Sequence, residues 1–491
     1  MLFNSIEFIL FFIVVITVIV IIKHRKFQHL FLLSASYFFF FASSNYLITL
    51  LIFSTILDFY VGKAMGNSKN QLNKKILLSL SLIGNLGLLG FFKYSDFAIL
   101  QFNILGNYID LGYQIPLLEL IFPVGISFYT FQTLSYSIDV YRGKLKPSES
   151  FSEFALFVSF FPQLVAGPII RAKEFLPQLR EKIHLSEQGI KLRQIIIHNS
   201  NLKLGITMMA FGFLKKVFFA DNIALLVDSL FADPMGLNSI LVILGTLAFG
   251  FQIYLDFSAY SDIAIGAALI LGFKIPQNFN KPYFAISPSD FWSRWHISLS
   301  TWLRDYLYIP LGGNKKSKSR TSVNLLSVMI IGGLWHGASW NFLIWGALHG
   351  VYLLIYKLIV EKFPKLSKNP FFKSKMGKII CIFITQYFVF LAWIPFRLSD
   401  LDQSLYVMEK YLIFDFDFSM LNIFANSTNL ISITLIILFL ILHFISYKKE
   451  NIVEKISKIN LKYWTLLITI IMILVVFSYS TFSEDFIYFR F

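Results

Sequence analysis

What most constrains this chain is a succession of apolar runs, each close to the roughly 20 residues that an α-helix needs to cross a hydrocarbon core. They lie at 6–22, 31–61, 76–92, 117–140, 204–231, 240–271, 343–360, 379–396, 430–445 and 463–479. In lipid every backbone N–H and C=O must be satisfied within the protein, so runs of this kind become helices. The expectation is an all-α polytopic membrane protein, with roughly 11 to 13 transmembrane or re-entrant helices around a central cavity. Composition agrees, since 56% of the 491 residues are hydrophobic and only 14% are charged, whereas a soluble domain carries about a quarter charged residues. No polar linker separates compact halves, so a single membrane domain over 1–491 is expected. The run at 31–61 is too long for one crossing, and Ser43, Ser44 and Asn45 mark where it should turn back.

The charges follow the apolar runs. No basic residue precedes the first run, while Lys23, His24, Arg25 and Lys26 follow it. That order is the reverse of a signal peptide's. The segment is therefore read as the first span, its amino end outside. Further basic residues gather in alternate loops: Lys63, Lys69, Lys74 and Lys75; then Arg142, Lys144 and Lys146; then Arg171, Lys173, Arg180, Lys182, Lys191 and Arg193. Lys315, Lys316, Lys318 and Arg320 form another group, and Lys357, Lys362, Lys365, Lys368, Lys373, Lys375 and Lys378 the next. Acid lies between them, at Asp400, Asp402, Glu409, Asp415 and Asp417, and at Glu484 and Asp485. By the positive-inside rule the basic loops face the cytoplasm and both chain termini face outward. Topology thus explains the net charge of +15 without a nucleic-acid partner. The lone Cys381 excludes an intrachain disulfide and reads as a small apolar side chain within its run.

Two stretches fit no straight span. Residues 151–170 carry Pro162, Gly167 and Pro168 inside an apolar run, and 286–313 hold Asp290, Arg294, His296, Arg304 and Asp305 among tryptophans. Both are read as re-entrant or in-plane segments covered by protein. No internal repeat is visible, which counts against a secondary transporter.

Six of the eight tryptophans, Trp292, Trp295, Trp302, Trp335, Trp340 and Trp345, share one window with His296 and His336. A membrane-interface belt would disperse them over many helix ends; their clustering around polar residues predicts a walled cavity. Ser287 followed by Pro288 and Asp290 is a helix start, which would let Asp290 pair with Arg294 and set Trp292 and His296 on one face. Gly332, Gly333 and Gly337 flank His336 and allow close backbone approach or a helix break. His349 would face elsewhere if one regular helix held it and His336. Asp256 and Asp262 lie in an apolar run, where carboxylates are costly and are either paired, here with Arg294 or Arg304, or placed along a substrate path. No HExxH pattern accompanies the histidines, so no metal is expected. Imidazole suits acyl transfer to an alcohol, because it can take the hydroxyl proton near neutral pH.

Several motifs together resemble the bacterial membrane-bound O-acyltransferase family. They are Phe161-Pro-Gln-Leu-Val-Ala-Gly-Pro168, Asp256-Phe-Ser-Ala-Tyr-Ser-Asp262, Asn278-Phe-Asn-Lys-Pro-Tyr283, Phe291-Trp-Ser-Arg-Trp-His-Ile-Ser-Leu-Ser-Thr-Trp-Leu-Arg-Asp305, Tyr308-Ile-Pro-Leu-Gly-Gly313 and Leu334-Trp-His-Gly337. The tail Phe486-Ile-Tyr-Phe-Arg-Phe491 matches less well, Arg490 standing where the family carries glutamine. The resemblance implies a catalytic core over 120–350, with peripheral helices in 1–119 and 351–491. It implies that His336 is catalytic and His296 its companion, with Trp292, Trp295, Arg294, Trp302, Arg304, Asp305, Trp335, Trp340, Asp256 and Asp262 along or supporting the substrate path. It also implies no permanently bound cofactor, a cytoplasmic acyl donor such as acetyl-CoA, a cell-envelope or secreted polysaccharide acceptor, an extracytoplasmic partner of the SGNH type, and residence in the bacterial inner membrane. D-alanyl transfer to teichoic acid is the alternative within the family; a transporter or a scaffold is the alternative outside it.

Overall fold

The structure, a computed structural model, describes residues 1–491 except 2, 23, 165–166, 188–196, 368, 416, 418–425, 480–485 and 488–491, with side chains of 181–187 and 366–367 also left aside. Lys23, Lys191, Arg193, Lys368, Glu484, Asp485 and Arg490 of the sequence reading lie outside the described residues, as does the side chain of Lys182.

Helices make up the fold, and among the described residues there is no strand. In chain order they are α1 (Ile6–Ile21), α2 (Arg25–Ser44), α3 (Ile48–Asn67), α4 (Gln71–Tyr108), α5 (Ile126–Tyr141), α6 (Phe151–Ser159), α7 (Phe161–Leu164), α8 (Ala172–Glu187), α9 (Asn199–Phe213), α10 (Asp221–Phe231) and α11 (Ser239–Ile270). There follow α12 (Pro288–Arg294), α13 (Ile297–Leu303), α14 (Lys318–His336), α15 (Trp340–Lys362), α16 (Pro364–Ser367), α17 (Pro370–Lys373), α18 (Lys375–Arg397), α19 (Leu401–Leu412), α20 (Ser427–Lys448), α21 (Ile452–Ser457) and α22 (Leu461–Ser478). Among the described residues seven helical stretches are long and apolar enough to cross a membrane. One of them, Arg25–Asn67, is broken where Asn45 takes φ 49° between α2 and α3, at the Ser43–Asn45 break expected from its length.

Two expectations change. The run at 117–140 does not form a helix until Ile126, because Pro123 interrupts it and Gly125 adopts a left-handed φ of 77°. The second change is α14, a 19-residue helix ending on His336 where no span was expected. Its apolar residues are diluted by Ser317, Thr321, Ser322 and Asn324, several of which serve the fold locally. Ser317 caps the helix and Asn324 donates to the Leu311 carbonyl at 3.0 Å.

Two compact units result, one of residues 1–209 and 263–276, the other of 210–262 and 277–491. In the first, Asp58 of α3 is fully buried and takes hydrogen bonds from Ser81 and Asn85 of α4 and Ser137 of α5. This satisfied carboxylate ties three apolar helices together. The same unit breaks the 151–170 stretch at Phe160, between α6 and α7, as its prolines and glycine predict.

In the second unit α14 and α15 pack backbone to backbone. A Cβ on Gly333 would overlap the Phe342 carbonyl and stand 3.1 Å from Gly346, and one on Gly346 would overlap the Met329 carbonyl. Small residues at a helix crossing permit this approach. Gly333→Ala is expected to cost about 1–3 kcal/mol through overpacking. A melting temperature in detergent equal to the parent's would show that the helices can separate without loss.

Candidate active site

The last turn of α14 carries His336. Gly337 follows in extended conformation at φ −161°, and Ser339 then caps α15 by accepting from the Phe342 N–H at 3.4 Å. Gly337 is needed for space, because a Cβ there would overlap the Phe342 ring. The turn is pinned by Asn341, 1% exposed, whose Nδ2 donates to the Leu398 carbonyl at 2.6 Å beyond the end of α18. His336 is therefore presented at a sharp, rigid break.

His296 reaches the same place from another direction. As expected, Ser287 caps α12 with Pro288 in its first turn, and Arg294 pairs with Asp290 at 2.7 Å. The helix ends at Arg294, however, so Trp292 and His296 do not share a helix face. His296 lies beyond the end at φ 42°, ψ 53° and serves as the N-cap of α13. This left-handed backbone is strained for a residue with a side chain, by roughly 1–3 kcal/mol. Asn278 holds it there. The Asn278 carbonyl accepts from the Ile297 N–H at 2.9 Å, its Oδ1 accepts from the Ser298 hydroxyl at 2.6 Å, and its Nδ2 donates to Ser261 Oγ at 3.1 Å. The sequence reading quoted Asn278 within a motif and assigned it no role; a buried amide beside a strained histidine has no compositional signature.

The two imidazoles meet with ring centroids 6.5 Å apart, and both are buried, His336 at 5% exposure and His296 at 0%. Rings wall them in. Trp335, Trp345 and Phe396 stand 4.9, 5.0 and 5.2 Å from His336, and Phe257 stands 4.7 Å from His296. The predicted aromatic enclosure is present, with changed membership. Trp335, Trp345 and Trp295 are buried, and Trp295 packs at a tilt against Trp393 at 4.9 Å. Trp292 packs on Trp345 at 5.8 Å, while Trp302 contacts Tyr306 at 5.1 Å. Trp340 is 47% exposed and is not part of the wall, because it opens α15 on its outer side. Phe257, Trp393 and Phe396 replace it from segments far away in sequence.

His349 also departs from expectation. The break at Gly337 places it on α15 rather than on a continuation of α14, so the helical phase from His336 does not apply. It is buried and lies 4.8 Å from Trp345, the ring that also contacts His336, and 5.1 Å from Trp292. Its Nε2 and the indole nitrogens of Trp292 and Trp345 have no hydrogen-bond partner among the described residues.

The carboxylates find lysines instead of the expected arginines. Asp256 pairs with Lys216 at 2.9 Å, and Lys216 pairs with Asp221 at 2.9 Å, with Lys216 only 1% exposed. Asp262 pairs with Lys215 at 2.6 Å. Both lysines belong to a π-helical turn, Leu214–Ala220, that links α9 to α10 inside an apolar run. Arg304 pairs with its neighbour Asp305 at 2.8 Å and remains largely exposed. Asp256 also accepts the Ile487 N–H at 2.8 Å, and Phe486 lies 4.1 Å from Tyr260. The start of the aromatic tail is thus anchored on the buried pair, beside the Phe257 that contacts His296.

A cavity of about 350 Å³ lies next to the turn after His336, lined by Gly337, Ala338, Ser339, Phe342, Phe396 and Ile487 among others. Arg397 at its edge pairs with Asp228 at 2.7 Å. Among the described residues no three His, Cys, Asp or Glu side chains are grouped to hold a metal ion. The arrangement offers two buried imidazoles in an aromatic enclosure that shares Phe396 with the cavity, which suits proton transfer to and from a bound reactant.

Comparison with known proteins gives the family. The model of the membrane-bound O-acyltransferase family matches residues 54–394. The chain is 38% identical to a peptidoglycan O-acetyltransferase of Helicobacter pylori over 386 residues, covering 74% of this chain and 69% of the relative. It is 38% identical to a probable alginate O-acetylase, AlgI, of Pseudomonas aeruginosa over 409 residues, covering 82% and 73%. A teichoic acid D-alanyltransferase of Streptococcus thermophilus is 32% identical over 304 residues, covering 57% and 69%. The matched segment runs from within α3 to within α18 and includes both histidines, and the chain is a multi-pass membrane acyltransferase that belongs to the membrane-bound O-acyltransferase family.

Proposed function

We propose that the chain moves an acetyl group from a cytoplasmic thioester, acetyl-CoA, to a hydroxyl of a cell-envelope or secreted polysaccharide at the outer face of the bacterial inner membrane. The observation that carries this reading is the pair His336 and His296, 6.5 Å apart in an aromatic enclosure beside a cavity. His336 takes the proton of the acceptor hydroxyl as its oxygen attacks the thioester carbonyl. The C–O bond forms, the C–S bond breaks, and the imidazolium returns the proton to the leaving thiolate. The end of α14 favours the transient cation, since helix C-termini stabilise positive charge. His296 orients or polarises the acyl carbonyl.

Relatives that act on peptidoglycan and alginate support a polymer acceptor, and they cover more of this chain than the D-alanyltransferase does. Alternating basic and acidic loops support outward termini, with the acceptor, and an SGNH-type partner, on that side. The reacting groups fall within 120–350, joined by Trp393, Phe396 and the tail from outside it.

The test is transfer of labelled acetyl from acetyl-CoA by the purified protein in liposomes, comparing the parent with His296→Asn. Asparagine tolerates the left-handed backbone of position 296, so the substitution removes the imidazole without adding strain. A strong drop in turnover with an unchanged melting temperature is expected. Full activity would remove His296 from the reaction, and no thioester loss with any acyl donor would overturn the reading as a whole.

A further inference from the structure

A second cavity, of about 270 Å³, lies in the other unit, where α2 and α6 begin. Arg25, Lys26 and His29 of α2 line it together with Ser150 and Ser152. His29 is buried and its ring is held by the backbone of Ser152. The one acid at the wall, Glu153, is paired with Arg180 at 3.3 Å. α2 starts without a side-chain cap, so its first N–H groups and the positive end of its dipole add to the two cations. The Ser150 and Ser152 hydroxyls bond each other at 3.1 Å and Ser150 Oγ caps α6, so this pair has a hydroxyl proton left to donate; with two cations and an open helix start it forms a pocket suited to a phosphate. The surroundings are apolar and outward: Phe27 is 64% exposed, Leu30 51% and Phe151 40%. A soluble anion has no use for those flanks, whereas acyl chains do.

We infer that this pocket binds the phosphodiester headgroup of an anionic phospholipid, with the acyl chains lying against Phe27, Leu30 and Phe151. The positive charge of the adjoining loop sets the lipid in the cytoplasmic leaflet. Lys26 is exposed and Arg25 half-buried, the depth at which long basic side chains meet headgroups. The site is built by the first unit alone and does not depend on the acyl-transfer reading.

Native mass spectrometry of the full chain, released from micelles supplied with phosphatidylglycerol or phosphatidylcholine, tests it. The parent should retain phosphatidylglycerol preferentially. Arg25→Gln with Lys26→Gln should weaken retention roughly 30-fold, since each juxtamembrane charge is worth about a factor of five. Lys74→Gln with Lys75→Gln, which removes two charges from another basic stretch, should leave retention unchanged. Ser152→Asp should expel the lipid while leaving the melting temperature intact, because an acid in the first turn of α6 suits that helix. Equal retention of the two lipids, or of phosphatidylglycerol by parent and double variant, would overturn the inference. So would complete displacement by inorganic phosphate, which would make the pocket a site for a soluble anion.

Discussion

Replacing His336 by glutamine should lower acetyl transfer by about 10²- to 10⁴-fold, the usual contribution of a positioned general base. Glutamine fills much of the same volume and keeps a hydrogen-bonding end, but it does not accept a proton near neutral pH. The enclosure should survive, because Trp335, Trp345 and Phe396 come from three separate places in the chain and pack on further rings. Initial rates from labelled acetyl-CoA, measured beside the melting temperature, separate chemistry from folding. Undiminished transfer would leave His336 a packing residue and would favour a scaffold role for the chain. Transfer and stability falling together would mean that the α14–α15 turn had opened.

Lys216→Met should destabilise the second unit by about 3–5 kcal/mol, since it leaves buried carboxylates without their cation. Asp221 and Asp256 both depend on this ammonium, and Asp256 also receives the Ile487 N–H. Loss of the lysine should therefore loosen the start of the aromatic tail as well as the helix contacts. Adding Asp221→Asn and Asp256→Asn should recover much of the loss, because a neutral amide tolerates the site better than an unpaired carboxylate. Unfolding followed by tryptophan fluorescence in detergent reads both effects. A single variant as stable as the parent would show that water reaches the carboxylates.

Sequence made the membrane character legible because apolar length is a direct physical requirement of the bilayer. The bend at Asn45, the cap at Ser287 and the Asp290–Arg294 pair were legible for a related reason: each is decided by residues within a few positions of one another. The histidine enclosure was legible only in part. Its tryptophans cluster in sequence, but Phe257, Trp393 and Phe396 arrive through tertiary packing, and Trp340 shares the cluster without sharing the wall. α14 falls outside the apolar runs because Ser317, Thr321, Ser322 and Asn324 lower its hydropathy, while their bonds cap the helix and tie it to the preceding loop. Lys215 and Lys216 were passed over as ordinary members of an apolar run, though they decide where Asp256 and Asp262 point. His349 faces away from His336 only if one regular helix holds both, and the break at Gly337 removes that condition. The left-handed backbone of His296 leaves no trace in composition, since it depends on bonds from Asn278.

The lysine–aspartate pairs bear on how the chain enters the membrane during synthesis. Lys215 and Lys216 precede the short connection at 232–238, and Asp256 and Asp262 follow it. Each charge, presented alone at the centre of a helix, would oppose partitioning into lipid by about 2.5–3.5 kcal/mol. Matched across a hairpin, they cancel as soon as the second arm leaves the ribosome. Asp221 already meets Lys216 within the first arm, and the two cross-hairpin pairs give the insertion machinery reason to hold that arm until its successor arrives and to release the two into the bilayer together.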